Sequence, residues 1–316
     1  MPVVLLSING GGGMKKLLLF VAGEKGFTTL AYLLKKGYAA NIGAVATFSE
    51  TGVIKDWSRE ICAMGRNEGI PVYFWRDIKT ILPETIARHM VTGAIAIGWR
   101  YMLPISLNGY LEDPIIILHD SLLPRYRGFA PTPTAIMQGE TETGITAFFA
   151  TESVDSGDIV LQRRFYIPGD MYIGEVIRKE SSLYAEMTEE IIRIMEWGKL
   201  TGVPQDDSMA SYSIWRDEED YRIDWSKDSV AIYNFVRALG YPYAGAFSYY
   251  DGECVRVSRA EVIPDLNFEV RDAGKIWNIH DNHPEVICGR GMLRILNARD
   301  WQGKEFAFDK LRVRLK

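Results

Sequence analysis

The chain has 316 residues, 47% of them hydrophobic and 24% charged, which suits an ordered soluble protein of about two domains. A net charge of −5 and a pI near 5.6 argue against a general polyanion binder, and no apolar run approaches the roughly 18 residues that span a bilayer. Cys62, Cys254 and Cys288 lie far apart with no C-x-x-C pair, the pattern of buried thiols in a reducing compartment, so a cytoplasmic location is expected.

Residues 1–13 end in the glycine run Gly10–Gly13 just before Met14-Lys15-Lys16, a plausible translation start, and are read as an extension outside the fold. Lys16–Ala22 is a buried-strand run. It ends in Gly23-Glu24-Lys25-Gly26, after which Phe27, Leu30, Ala31 and Leu34 recur at helical spacing up to Gly37. This strand–turn–helix lacks the G-x-G-x-x-G of a dinucleotide fingerprint. Strands are predicted at 42–48, 72–75 and 94–98, with helices near 54–66 and 83–90. That alternation predicts an α/β, Rossmann-like, doubly wound and mainly parallel sheet.

The fourth strand opens into Trp99-Arg-Tyr-Met-Leu-Pro104. A fifth, Pro114–Leu118, delivers His119-Asp-Ser-Leu-Leu-Pro-Arg-Tyr-Arg-Gly128 to the carboxyl edge of the sheet, where ligands bind in such folds. The strand Gly144–Ala150 then brings Thr151-Glu-Ser-Val-Asp155-Ser-Gly157-Asp158. Helices are expected at 130–138 and, capped by Asp170, up to Gly198; between them runs a strand at 158–165. A change to Gly, Pro, Gln, Asp and Ser between Gly198 and Tyr212 marks a linker. Beyond it, a helix at 229–239 and short strands at 246–250, 255–262, 275–279, 286–288 and 293–298, with the tail 306–315 as one more, predict a small β-barrel or sandwich.

Four histidines occur. His89 reads as a surface or half-buried residue. His280 and His283 flank Asp281 but lack further ligands at metal-site spacing, so no metal is expected. His119 ends an apolar strand face, since residues 115, 117 and 119 point the same way. A carboxylate such as Asp155 can hold its tautomer and stabilise its charged form, an acid/base device contributing ~10²–10⁴-fold. Ser121 lacks the G-x-S-x-G elbow of a nucleophile.

His119–Gly128, Ala135-Ile-Met-Gln-Gly-Glu-Thr-Glu-Thr-Gly-Ile-Thr146 and Val154-Asp-Ser-Gly-Asp-Ile-Val160 together resemble the 10-formyltetrahydrofolate-dependent formyltransferases, in the family's order and spacing. The resemblance covers residues 14 to about 200. Ile223–Lys227, Ile232–Leu239 and Tyr241–Gly252 resemble the carboxyl-terminal OB-like domain of that family. It implies residues 14–200 as a catalytic domain and 201–316 as an OB-like β-domain. It also implies His119 and Asp155 as the catalytic pair. Folate contacts would come from Tyr101, Met102 and Leu103, from Ser121, Leu122, Leu123 and Pro124, and from Thr151, Glu152, Ser153 and Val154. The formyl donor would be 10-formyltetrahydrofolate, and family members are often homodimers. One departure stands out: the family usually carries Asn two residues before the histidine, and this chain has Ile117.

Between residues 211 and 316 there are 16 Lys and Arg against 17 Asp and Glu. That neutral balance, the acidic run Asp217–Asp220 and the look of the Trp99 loop favour a small diphosphate-bearing acceptor over a nucleic acid. The expected acceptor is therefore a nucleotide-linked 4-amino sugar carried by UDP, dTDP or GDP, as in pseudaminic-acid-type pathways, with Lys25 and Arg127 as cations for the diphosphate. Methionyl-tRNA is the alternative acceptor. A folate-binding protein impaired by Ile117 is the second.

Overall fold

The structure, a computed structural model, describes residues 14–316, so the reading of residues 1–13 lies outside the described residues. In chain order the amino-terminal elements are β1 (Leu17–Val21), α1 (Gly23–Lys35), β2 (Ile42–Thr47), α2 (Ser58–Asn67), β3 (Val72–Phe74), α3 (Trp75–Ile78), α4 (Leu82–Arg88), β4 (Gly93–Ile97), β5 (Ile116–His119), β6 (Arg127–Gly128), α5 (Pro131–Met137), β7 (Glu142–Phe149), β8 (Ile159–Tyr166) and α6 (Ile173–Trp197). They build a seven-stranded sheet of order β3-β2-β1-β4-β5-β7-β8.

The five strands β3, β2, β1, β4 and β5 run parallel and explain their own sequences. Every residue of β1 is buried, because both faces of a parallel sheet are covered. Leu17, Leu19 and Val21 pack with Leu30 and Leu33 of α1 and with Met187 and Ile191 of α6. Leu18 and Phe20 face the other way, against Ile78 and Leu82. The period of two thus divides one apolar run between two cores. In α6, Val176, Met187, Ile191 and Met195 are buried as the helical stripe requires.

The edge beyond β5 departs from the parallel expectation. β7 pairs antiparallel with β5, Ile116 opposite Phe149 and His119 opposite Thr146, and β8 pairs antiparallel with β7. A short loop can join only antiparallel neighbours. The carboxyl end of β7 therefore lies beside the start of β5, not beside His119. The segment 150–158 has to travel back over about three residues of strand, roughly 10 Å, to reach the histidine. It does so pressed against β7: a Cβ on Gly157 would lie 1.7 Å from the Phe149 carbonyl oxygen, so only glycine fits there.

Other differences are local. The helix predicted from residue 54 begins at Ser58. Asp170 does not cap α6; Tyr172 does, its N–H donating to the Glu175 carboxylate at 3.0 Å.

The second half contains β9 (Tyr212–Ser213), α7 (Ser229–Ala238), β10 (Ala246–Tyr250), β11 (Glu253–Ile263), β12 (Ile276–His280), β13 (His283–Ile287) and β14 (Met292–Asp300). β10 to β14 form an antiparallel sheet of order β10-β11-β14-β13-β12 over a core that includes Trp225, Val236, Val255 and Leu293. Asp228 caps α7 through Val230 N–H at 2.8 Å. The tail 306–315 forms no strand. It is tied down by single bonds such as Leu315 N–H to the Gly274 carbonyl at 2.8 Å. Ile136, Ile173, Val176 and Ala238 share a further apolar cluster, so α5, α6 and α7 pack together.

The segment read as a linker is ordered and stitched to the first half. Val203 exchanges two backbone bonds with Ile159, and β9 runs parallel to β6. No helix among the described residues is long and apolar enough to cross a membrane.

Candidate active site

His119 ends β5 with 9% of its surface exposed. Its Nε2 lies 2.8 Å from the Tyr126 carbonyl oxygen. A carbonyl only accepts, so Nε2 carries the proton and the lone pair of the neutral ring sits on Nδ1. Nδ1 faces the Asp155 carboxylate at 3.6 Å. The Gly128 N–H donates to the same Asp155 oxygen at 2.7 Å and fixes the carboxylate plane. Asp155, Tyr126 and Ala130 all hold positive φ, at 48°, 59° and 47°. Such backbone costs of order 1–3 kcal/mol per residue and persists only where its surroundings impose it.

A cleft of about 460 Å³ opens beside this pair, within the range of small-molecule sites. His119, Asp155 and Ile117 line it. One wall is aromatic. Tyr101 stacks on Trp75 with ring centroids 5.7 Å apart, and Trp99 meets Phe20 and Phe48 edge-on. Met102, Thr151, Ser153 and Val154 also line the cleft, and Leu103 forms part of its buried floor.

Several expected contacts fall elsewhere. Ser121, Leu122, Leu123 and Pro124 are not among the cleft's lining, and neither is Glu152. Ser121 is 1% exposed and its hydroxyl donates to the Arg125 carbonyl at 2.7 Å, so it shapes the turn. Leu123 N–H donates to Thr146 Oγ at 3.1 Å, which ties that turn to β7.

Arg127 is a correction. It is 3% exposed, outside the cleft, and its guanidinium is consumed by Gln205 at 3.1 and 2.8 Å and by Asp207 at 2.7 Å. A phosphate would have to displace both. Lys25 is the second correction. It reaches the cleft, but Nζ pairs with Asp120 at 2.5 Å and Glu180 at 2.8 Å. Two carboxylates already neutralise one ammonium.

That buried cluster was not anticipated, because Lys25, Asp120 and the α6 pair Glu180 and Tyr184 come from three segments far apart in the chain. Tyr184 donates to the other Asp120 oxygen and Thr132 to Glu180 at 2.8 Å. Burial alone would lower Lys25, but its two carboxylates outweigh this and hold it above its ordinary value. Burial would raise Asp120, but Lys25 and Tyr184 keep it low. Burial pushes Glu180 up to about 7, with Lys25 opposing and Asp120 adding to the rise. Two carboxylates sharing one cation cannot both ionise freely.

A raised carboxyl stabilises the fold fully below its unfolded pKa, and that contribution is lost as pH rises through the folded one. Glu180→Gln is therefore expected to remove a decline in stability between about pH 4.3 and about 7. The decline is on the order of 3 kcal/mol. Urea unfolding of both proteins at pH 5 and pH 8 checks this; an equal pH dependence in the two would refute it.

Among the described residues no group of three His, Cys, Asp or Glu side chains is placed to hold a metal. His280 and Asp281 are exposed at the β12–β13 turn.

The family model described as Formyl transferase matches residues 77–182, and that described as Formyl transferase, C-terminal domain matches residues 216–311. Methionyl-tRNA formyltransferase of Syntrophomonas wolfei is 34% identical over 225 residues, 71% of this chain and 68% of its own length. The chain belongs to the formyltransferase family.

Two solved structures share the architecture. The N-formyltransferase from Helicobacter canadensis, in complex with folinic acid and dTDP-3-aminofucose, superposes with a TM-score of 0.64 at 17% identity, over 93% of this chain and all of that one. HypX from Aquifex aeolicus in complex with tetrahydrofolic acid gives 0.62 at 19%, over 94% of this chain, which spans 46% of that longer protein.

These comparisons overturn the amino-sugar acceptor inferred from charge. Five relatives at 32–34% identity are named methionyl-tRNA formyltransferase, whereas sugar N-formyltransferases occur as structural neighbours at 16–17%, a level that speaks for fold alone. The charge count misled for a physical reason. Pairs such as Asp228 with Arg290, Glu285 with Arg294 and Asp265 with Arg271 cancel one for one, so the count carries no information on where the remaining charges stand. A net sum says little about the field at one mouth of a cleft.

Proposed function

We propose that this formyltransferase moves the formyl group of 10-formyltetrahydrofolate to the amino group of methionyl-tRNA. The supporting observation is the pairing of His119 with Asp155 at the wall of the cleft in a chain whose 32–34% identical relatives carry that name. The cleft suits a folate. Its aromatic wall offers Tyr101, half-exposed and stacked on Trp75, to a flat heterocycle. Trp99 lines the same wall, and its buried indole N–H has no partner among the described residues.

The folate supplies the one-carbon unit as an activated amide. As the amine bonds to the formyl carbon, His119 takes its proton on Nδ1, the nitrogen left free by the Nε2–Tyr126 bond, and returns it to the folate nitrogen whose bond to that carbon breaks, so that tetrahydrofolate leaves as the neutral amine. Asp155 faces that nitrogen and stabilises the imidazolium so formed, while Gly128 keeps the carboxylate from rotating away. Tyr101, Met102, Leu103, Thr151, Ser153 and Val154 are the proposed folate contacts.

Incubation with 10-formyltetrahydrofolate and charged initiator tRNA is expected to yield formyl-methionine after mild alkaline release. Uncharged tRNA serves as the control. Folate binding with no formyl-methionine would reject the acceptor.

A further inference from the structure

The connector between the two halves carries a side chain that no part of the proposed chemistry uses. Gln205 makes all four hydrogen bonds that a carboxamide can make. Its nitrogen donates to the carbonyls of Asp155 at 2.9 Å and Gly157 at 2.8 Å, and its oxygen accepts from Arg127 Nε at 3.1 Å and Nη2 at 2.8 Å. The orientation of the amide is fixed by its partners, since carbonyls only accept and a guanidinium only donates.

These bonds close a ring. Arg127 precedes Gly128, whose N–H holds the Asp155 carboxylate. Gln205 holds the Asp155 backbone on the other side, and Arg127 holds Gln205. Arg127 is itself fixed by Asp207 at 2.7 Å and by its backbone N–H to the Ser211 carbonyl at 2.8 Å. The ring surrounds the residue that needs support: Asp155 sits at φ 48°, on a loop that must fold back across β7 to meet the histidine.

We propose that Gln205 and Arg127 are positioning residues that hold Asp155 in register with His119, which makes the interdomain connector a determinant of catalysis. The proposal rests on the His119–Asp155 pair being the acid/base device. A misplacement of about 1 Å in such a pair costs about 10²-fold in rate. Gln205 neither lines the cleft nor bonds to His119, and of its hydrogen-bond partners Asp155, Gly157 and Arg127 only Asp155 lines the cleft, so its effect on the site has to pass through Asp155.

The test is a double-mutant cycle of Gln205→Ala with Asp155→Asn, read in two ways. The first is the titration of His119, followed by ¹⁵N NMR of imidazole-labelled protein, which needs no acceptor. Asp120, Lys25 and Tyr184, the other ionisable groups beside the histidine, are present in every variant. Gln205→Ala is expected to move the His119 midpoint in the direction that Asp155→Asn does, and to have no further effect in the Asp155→Asn background.

The second readout is formyl transfer. Here kcat should fall about 10–100-fold with KM for folate changed less than about threefold, and again without effect once Asp155 is Asn. An unmoved His119 midpoint, or an equal loss in both backgrounds, overturns the proposal. Should Gln205→Ala fail to fold, Gln205→Glu tests the same point: it keeps acceptors for Arg127 and loses the donors to the two carbonyls. Absence of transfer by the wild type would reject the tRNA acceptor and leave the NMR cycle to decide the role of Gln205.

Discussion

Replacing His119 with alanine is expected to lower formyl transfer by about 10²–10⁴-fold while folate affinity and melting temperature change little. The ring ends its strand and makes one outgoing bond, to the Tyr126 carbonyl, so its removal frees one acceptor next to an open cleft that water can enter. Asp155→Asn should give a smaller loss, because the amide still fits the Gly128 N–H but no longer offsets the positive imidazolium. Initial rates and equilibrium folate binding, measured on the same preparations, separate the two effects. Full turnover by His119→Ala would remove the imidazole from the mechanism.

The second large effect is expected at Ile117, where a gain is predicted. Residues 117 and 119 share a face of β5, and both line the cleft, so a carboxamide at 117 would point at the developing oxyanion. One such donor is commonly worth ~10²–10³ in rate. Ile117→Asn is expected to raise kcat by an amount up to that range. The side chain is only partly buried, at the rim of the apolar cluster of Leu103 and Ile115, which keeps the cost of the polar replacement within about 1–3 kcal/mol. An unchanged or reduced kcat in a folded variant would show that the oxyanion is already served by another group.

Sequence reasoning went furthest where one side-chain period decides the structure. β1 and the stripe of α6 carry their burial in their spacing, and the strand at 246–250, closed by the Asp251-Gly252 turn, has the predicted bounds. Histidine at a strand end also announced itself. Direction along the sheet did not. The run Gly144–Ala150 reads the same whether it lies parallel or antiparallel to β5, so the return path of the Asp155 loop was invisible.

Long-range polar partners were equally hidden. Arg127 looked like an anion ligand because its chain neighbours are cleft residues, yet its partners are Gln205 and Asp207, 78 and 80 residues away. Lys25 shares that history: its pairing with Glu180 joins the first turn of α1 to α6, and nothing local in either segment foretells it. Acceptor identity was least legible, since composition reports net charge and not where a cation stands unpaired.

The stitching of residues 203–213 onto the first half bears on how such proteins could exchange parts over evolutionary time. A crossover placed at the compositional boundary near Gly198 would bring in a foreign partner for Arg127 and for the Asp155 and Gly157 carbonyls, and would replace the strand that runs beside Arg127–Gly128. A breakpoint just after Ser213 keeps those contacts with the half they serve. Natural chimaeras of this architecture should therefore carry their seams downstream of the apparent linker.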